Sequence, residues 1–62
     1  MIDELIKRLP IALYSGGLYI QYEMNGLWYC GYQNSTYHVL EHDLEIALNS
    51  LITKLNENGY EI

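Results

Sequence analysis

Positive charge is scarce in this chain. Lys7, Arg8 and Lys54 are its only cations against eight carboxylates, so its 62 residues carry a net charge of −5. Nucleic-acid binding relies on Lys and Arg to neutralise phosphates, so direct contact with DNA or RNA is disfavoured and a partner with a basic surface fits better. Cysteine occurs once, at Cys30. That excludes an intrachain disulfide or a cysteine-built zinc site and fits a reducing, cytoplasmic setting. Long apolar runs are missing too: nothing approaches the ~18 consecutive residues of a membrane span. Met1 is followed by Asp3 and Glu4, where a signal peptide would carry basic and then apolar residues. With no secretion expected, Asn34-Ser35-Thr36 reads as a turn and not as a glycosylation site.

A chain this short makes one domain, residues 1–62, and removes only about 60% of its unfolded surface from water, which favours self-association, a dimer first of all. Ile2, Leu5, Ile6 and Leu9 recur at helical spacing. Asp3 and Glu4 lie at the start and Lys7 and Arg8 near the end, as the helix dipole prefers, so a short helix is predicted over about 2–9. The one proline, Pro10, ends it. Ile11 to Tyr14 is apolar but brief, readable as a turn of helix, a loop or an edge strand, before Ser15-Gly16-Gly17 breaks the pattern.

Two β-rich runs then flank Asn25-Gly26, the pair favoured in a type I′ hairpin turn, and predict strands over about 18–24 and 27–33. A two-residue loop there pairs Met24 with Leu27, Tyr22 with Tyr29 and Ile20 with Gly31. That face is the expected core, with Gly31 admitting a helix close to the sheet. The opposite face carries Glu23 with Trp28, Gln21 with Cys30 and Tyr19 with Tyr32. A turn at Asn34-Ser35 returns a third strand over 36–40, setting Tyr37 beside Tyr32 and Val39 beside Cys30. Leu44, Ala47, Leu48, Leu51, Ile52 and Leu55 form an amphipathic stripe that predicts a helix over about 43–57, opened by Asp43 or His42 and closed by Gly59, with residues 60–62 as a tail. The expected class is α+β: a short N-terminal helix, a three-stranded antiparallel sheet, and a C-terminal helix packed on one sheet face.

His38 and His42, with Glu41 and Asp43, match metal ligands in type, but His38 belongs to a predicted strand in which four residues span about 13 Å. Cys30 points to the other face in this register. It has no histidine and orienting third group arranged as a nucleophile requires. Ser15-Gly16-Gly17 precedes a strand, whereas a phosphate-binding loop precedes a helix. The expectation is no enzyme, no metal and no cofactor.

Tyrosine is abundant instead, with seven residues and one tryptophan. Tyr19, Trp28, Tyr32 and Tyr37 fall together on the predicted face opposite the main helix. Either the first helix covers part of that face and the remainder is ordinary surface, or the aromatic row is a protein interface, because Tyr and Trp are enriched at binding hot spots. A base-stacking platform would need cations that are lacking. Glu41, Asp43 and Glu45 gather at the helix start, where the dipole favours them and where they also offer charge to a basic partner. The predicted protein-binding set is Tyr19, Glu23, Trp28, Tyr32, Tyr37, Glu41, Asp43 and Glu45.

After three strands, Asp43-Leu44-Glu45-Ile46-Ala47-Leu48 resembles the strand-strand-strand-helix unit of HicB-like antitoxins and small phage-encoded α-β-α sandwich proteins. In those families the helix often opens with an acidic residue and an alanine-leucine pair, as at Glu45, Ala47 and Leu48. The resemblance covers about Leu18 to Gly59, lacks the proline-aspartate-glycine segment of the HicB-like pattern, and carries over no functional residue. A short, acidic, tyrosine- and asparagine-rich chain is also similar to accessory proteins of phages and mobile elements, some of which block host defence systems. These resemblances imply a non-enzymatic protein of the host cytoplasm that occludes a host protein, as an anti-CRISPR does. The alternatives are a small homo-oligomeric structural or assembly protein and a HicB-like antitoxin-type module.

Overall fold

A computed structural model describes residues 2–13, 16–33 and 35–62. The chain runs α1 (Ile2–Arg8), β1 (Ala12–Leu13), β2 (Gly16–Tyr22), β3 (Trp28–Tyr32), β4 (His38–Glu41) and α2 (Leu44–Glu57). The strands form one antiparallel sheet in the order β1-β2-β3-β4. The α+β class is as expected, with a fourth strand added.

That strand comes from the segment after Pro10. Ala12 pairs with Gly17 and Leu13 with Gly16, so the two glycines extend β2 and do not interrupt it. Gly16 is required there: a Cβ would collide with the carbonyl of Gln33, whose own N–H donates to Gly17 O at 3.3 Å. Tyr14, Ser15 and the expected turn residue Asn34 lie outside the described residues.

The central hairpin departs from the expected register. Gly26 N donates to Glu23 O at 3.0 Å and Glu23 N to Leu27 O at 2.7 Å, while Asn25 Oδ1 accepts from Leu27 N at 3.1 Å. Gly26 has φ +84°. This is a three-residue loop, a turn followed by one left-handed glycine, and it brings Glu23 opposite Leu27. The strands therefore pair Tyr22 with Trp28, Ile20 with Cys30 and Leu18 with Tyr32. Side chains alternate with period two, so a shift of one residue moves every group on one strand to the other face. Beyond the hairpin the expected pairing of Val39 with Cys30 is present, and Tyr32 N donates to Tyr37 O at 3.1 Å.

The core follows from this register. Ala47, Leu48, Leu51 and Leu55 of α2 are fully buried, and Ile52 nearly so, against Cys30 and Tyr32. Leu18, Ile20, Trp28, Val39 and Leu44 pack around them. Helix α1 does not cover the far side of the sheet. It packs on α2, and its Leu5, with Leu9 and Leu13 just beyond it, joins the same core. The side chain of Tyr32 is buried in this core, and its hydroxyl donates to Pro10 O at 2.6 Å.

Both ends of α2 are capped by local chemistry. Asp43 accepts from Ile46 N at 3.1 Å as the N-cap. At the other end Gly59, at φ +94°, lets Tyr60 N reach Leu55 O at 3.1 Å and Gly59 N reach Asn56 O at 3.2 Å, the paired bonds of a Schellman motif. The chain beyond is not a loose tail: Tyr60 and Ile62 pack on the core, Ile62 N donates to Asn56 Oδ1, and Arg8 donates to Ile62 O.

Candidate functional site

With both helices on one side, the other side of the sheet carries Tyr19 and Gln21 from β2, Tyr29 and Gly31 from β3, and His38 and Leu40 from β4. The register makes Tyr29 its centre, with Gln21 and Leu40 directly opposite on the two neighbouring strands. Tyr19 and His38 lie diagonally, flanking Gly31. Three rings thus cross three strands: Tyr19 meets Tyr29 edge-on at 5.7 Å between centroids, and Tyr29 stacks on His38 at 5.5 Å and 13°. Both geometries suit the quadrupole of aromatic rings.

Gly31 makes this row possible. A Cβ there would stand 2.6 Å from His38 Cβ and 2.6 Å from Tyr37 O, closer than atoms pack. Lacking one, β3 and β4 close on each other, and the rings of Tyr19, Tyr29 and His38 surround the position, which is itself buried. The sequence expectation had this glycine facing α2. It serves strand against strand on the opposite face.

Among the described strand residues on this face there is no carboxylate, lysine or arginine, although the chain as a whole has eight acidic side chains. Leu40 is 48% exposed, and Tyr19 and Tyr29 are half-buried. The surface is thus apolar and aromatic over its strands, with Gln21 and His38 as their polar groups and Glu23 at its hairpin end.

Of the predicted binding residues, Tyr19 lies on this face, and Glu23, opposite Leu27 in the same register, continues it at the hairpin end. Trp28, Tyr32 and Tyr37 were expected beside Tyr19, and the one-residue shift places them on the helix side. Tyr32 is 1% exposed, Trp28 packs on the core and tilts against Tyr22 at 4.9 Å, and Tyr37 meets Tyr60 edge-on at 5.7 Å. Glu41 ends β4 on the helix side, Asp43 is occupied as the cap of α2, Glu45 is exposed on its first turn, and Glu23 sits at the hairpin loop. These groups do not form one surface. Tyr29, His38, Leu40 and Gln21 were missed because the expected pairing put Tyr29 in the core.

Cys30 is fully buried on the helix side, and burial pushes its thiol pKa up, so it stays protonated and away from solvent. His38, on the other face, stands across the sheet from it. No group of three His, Cys, Asp or Glu side chains suited to a metal ion occurs among the described residues, and no described helix is long and apolar enough to cross a membrane. Comparisons with protein-family models, with curated proteins and with solved structures gave no match.

Proposed function

We propose that the protein acts without catalysis, by docking its open sheet face on another protein and occluding the surface it covers. The observation that carries this reading is the stacked row Tyr19, Tyr29 and His38, extended by Leu40, on a sheet face with no charged side chain among its described strand residues. Aromatic groups on a rigid sheet lose little conformational freedom on binding and supply the large contacts typical of hot spots. The acidic residues, with Glu23 at the rim of this face and the others elsewhere, would then steer approach to a basic partner. A phage or mobile-element setting, with a host defence protein as the target, is the form of this activity that the resemblance of composition favours.

The test is affinity purification with the intact chain, comparing the wild type with the pair Tyr19→Ala and Tyr29→Ala, and with Lys7→Gln, exposed on α1, as a control. Far-ultraviolet circular dichroism establishes folding of each. Recovery of a partner by the wild type and the control, with loss in the aromatic pair, is the expected outcome. A partner recovered equally by the folded aromatic pair would refute the assignment of this face.

A further inference from the structure

We infer that β4 is a self-association edge, and that its occupant is the β4 strand of a second copy of this chain, antiparallel across a two-fold axis. Because Tyr32 N bonds to Tyr37 O, and bonded pairs alternate along an antiparallel ladder, Val39 and Glu41 direct their main-chain groups to β3. His38 and Leu40 therefore direct theirs away from the sheet. One of these is covered: Lys54 Nζ donates to His38 O at 3.2 Å. At the opposite edge β1 covers β2 at Gly16 and Gly17, and Leu18 N donates to Ile11 O at 2.9 Å, which leaves the outward groups of Ile20 and Tyr22 beside the hairpin loop.

The surroundings of the edge suit a strand on both layers. On the sheet's open face Leu40 is 48% exposed, and on the helix layer Ile46 is 55% exposed. Between α2 and β4 runs a groove of about 420 Å³, lined by Val39 of β4 and by Ile46, Asn49, Ser50, Thr53, Lys54 and Glu57 of α2. An incoming strand would meet backbone partners in the middle, Leu40 on the open face, and Val39 and Ile46 among polar side chains of α2 on the other.

Charge selects a second copy as the occupant. The outward groups belong to even-numbered residues, so the pairing centred on this strand sets His38 against the partner's Leu40, Val39 against its own equivalent, and Tyr37 against the partner's Glu41. Glu41 lies on the helix side, as does Lys54, which already rests on His38 O at this edge. The partner's Glu41 thus arrives beside Lys54, and the two-fold repeats the contact. One patch then supplies both halves of a self-complementary interface. The pairing matters in a chain of net charge −5, whose overall field opposes self-association. The joined sheet would have eight strands, with the rows of Tyr19, Tyr29 and His38 of the two copies on one continuous face.

Sedimentation equilibrium over a wide range of concentration reads this directly, and independently of whether any other protein binds. The wild type is expected to form a dimer and to go no further. Leu40→Pro removes only an outward N–H, which edge strands tolerate, and is expected to give a folded monomer. Glu41→Lys alone and Lys54→Glu alone should each weaken the dimer about tenfold; the double exchange Glu41→Lys with Lys54→Glu should restore it. A wild type that stays monomeric throughout would overturn the inference. So would a dimer insensitive to both Leu40→Pro and the charge exchanges, or one lost on Tyr29→Ala but not on Leu40→Pro, which would mark face-to-face pairing instead.

Discussion

Two residues show how little room this fold leaves at single positions. Gly31→Ala would force His38 and the Tyr37 carbonyl away from β3, and overpacking of this kind costs about 1–3 kcal/mol. That is a large part of the roughly 3–9 kcal/mol expected for a chain of this length. The measured urea midpoint should fall accordingly, and the Tyr29 and His38 stacking should be disturbed with it. Tyr32 links stability to pH. Its pKa is pushed up to about 12 by burial, from an ordinary value of 10.0. Between these values the unfolded chain releases a proton that the native chain retains, so the stability is fully present below pH 10 and is lost as pH rises toward 12. Chemical denaturation in that range should show a fall on the order of 2 kcal/mol, and Tyr32→Phe should flatten it while costing about 1 kcal/mol for the lost Pro10 bond. Neither role was legible in the sequence alone, because each depends on which face the residue occupies.

At the scale of elements, what the sequence declares is periodicity, and periodicity located both helices and the three main strands. The α2 stripe from Leu44 to Leu55 is buried as its spacing implies, Asp43 caps it, and Gly59 ends it, because these signals are local to the helix. Hairpin register is different in kind. Asn25-Gly26 serves a two-residue turn or the last two positions of a three-residue loop, and the choice between them turns on the single bond from Glu23 N to Leu27 O. That one residue decided whether Tyr32 or Tyr29 went into the core, and with it most of the candidate site. The short β1 was likewise undecided, since two apolar residues carry no period. Deletion of Met24 tests the loop. It leaves Asn25-Gly26 as a two-residue turn between the same partners, Glu23 and Leu27, so the faces are preserved. The shortened protein should keep the near-ultraviolet signal of Trp28 and a melting transition close to that of the parent; loss of both would show that the native loop pairs Met24 with Leu27.

As a whole, the molecule is a sheet with helices on one side only, and its chemistry divides accordingly. The helix side is closed, with Cys30, Leu48, Leu51 and Leu55 all fully buried. Ellman's reagent should therefore find no reactive thiol in the native protein and one equivalent after denaturation, at a rate set by opening of the entire core. The open side is where the protein can meet others, and the central claim is the pairing that separates the two. Cross-strand Hα–Hα nuclear Overhauser effects measure it directly, because such protons come closest at the non-hydrogen-bonded pairs of an antiparallel ladder. Strong effects are predicted for Tyr22 with Trp28, Ile20 with Cys30 and Leu18 with Tyr32. Effects linking Glu23 with Trp28 or Gln21 with Cys30, the non-hydrogen-bonded pairs of a two-residue loop, would contradict the account and return Tyr32 to the outside.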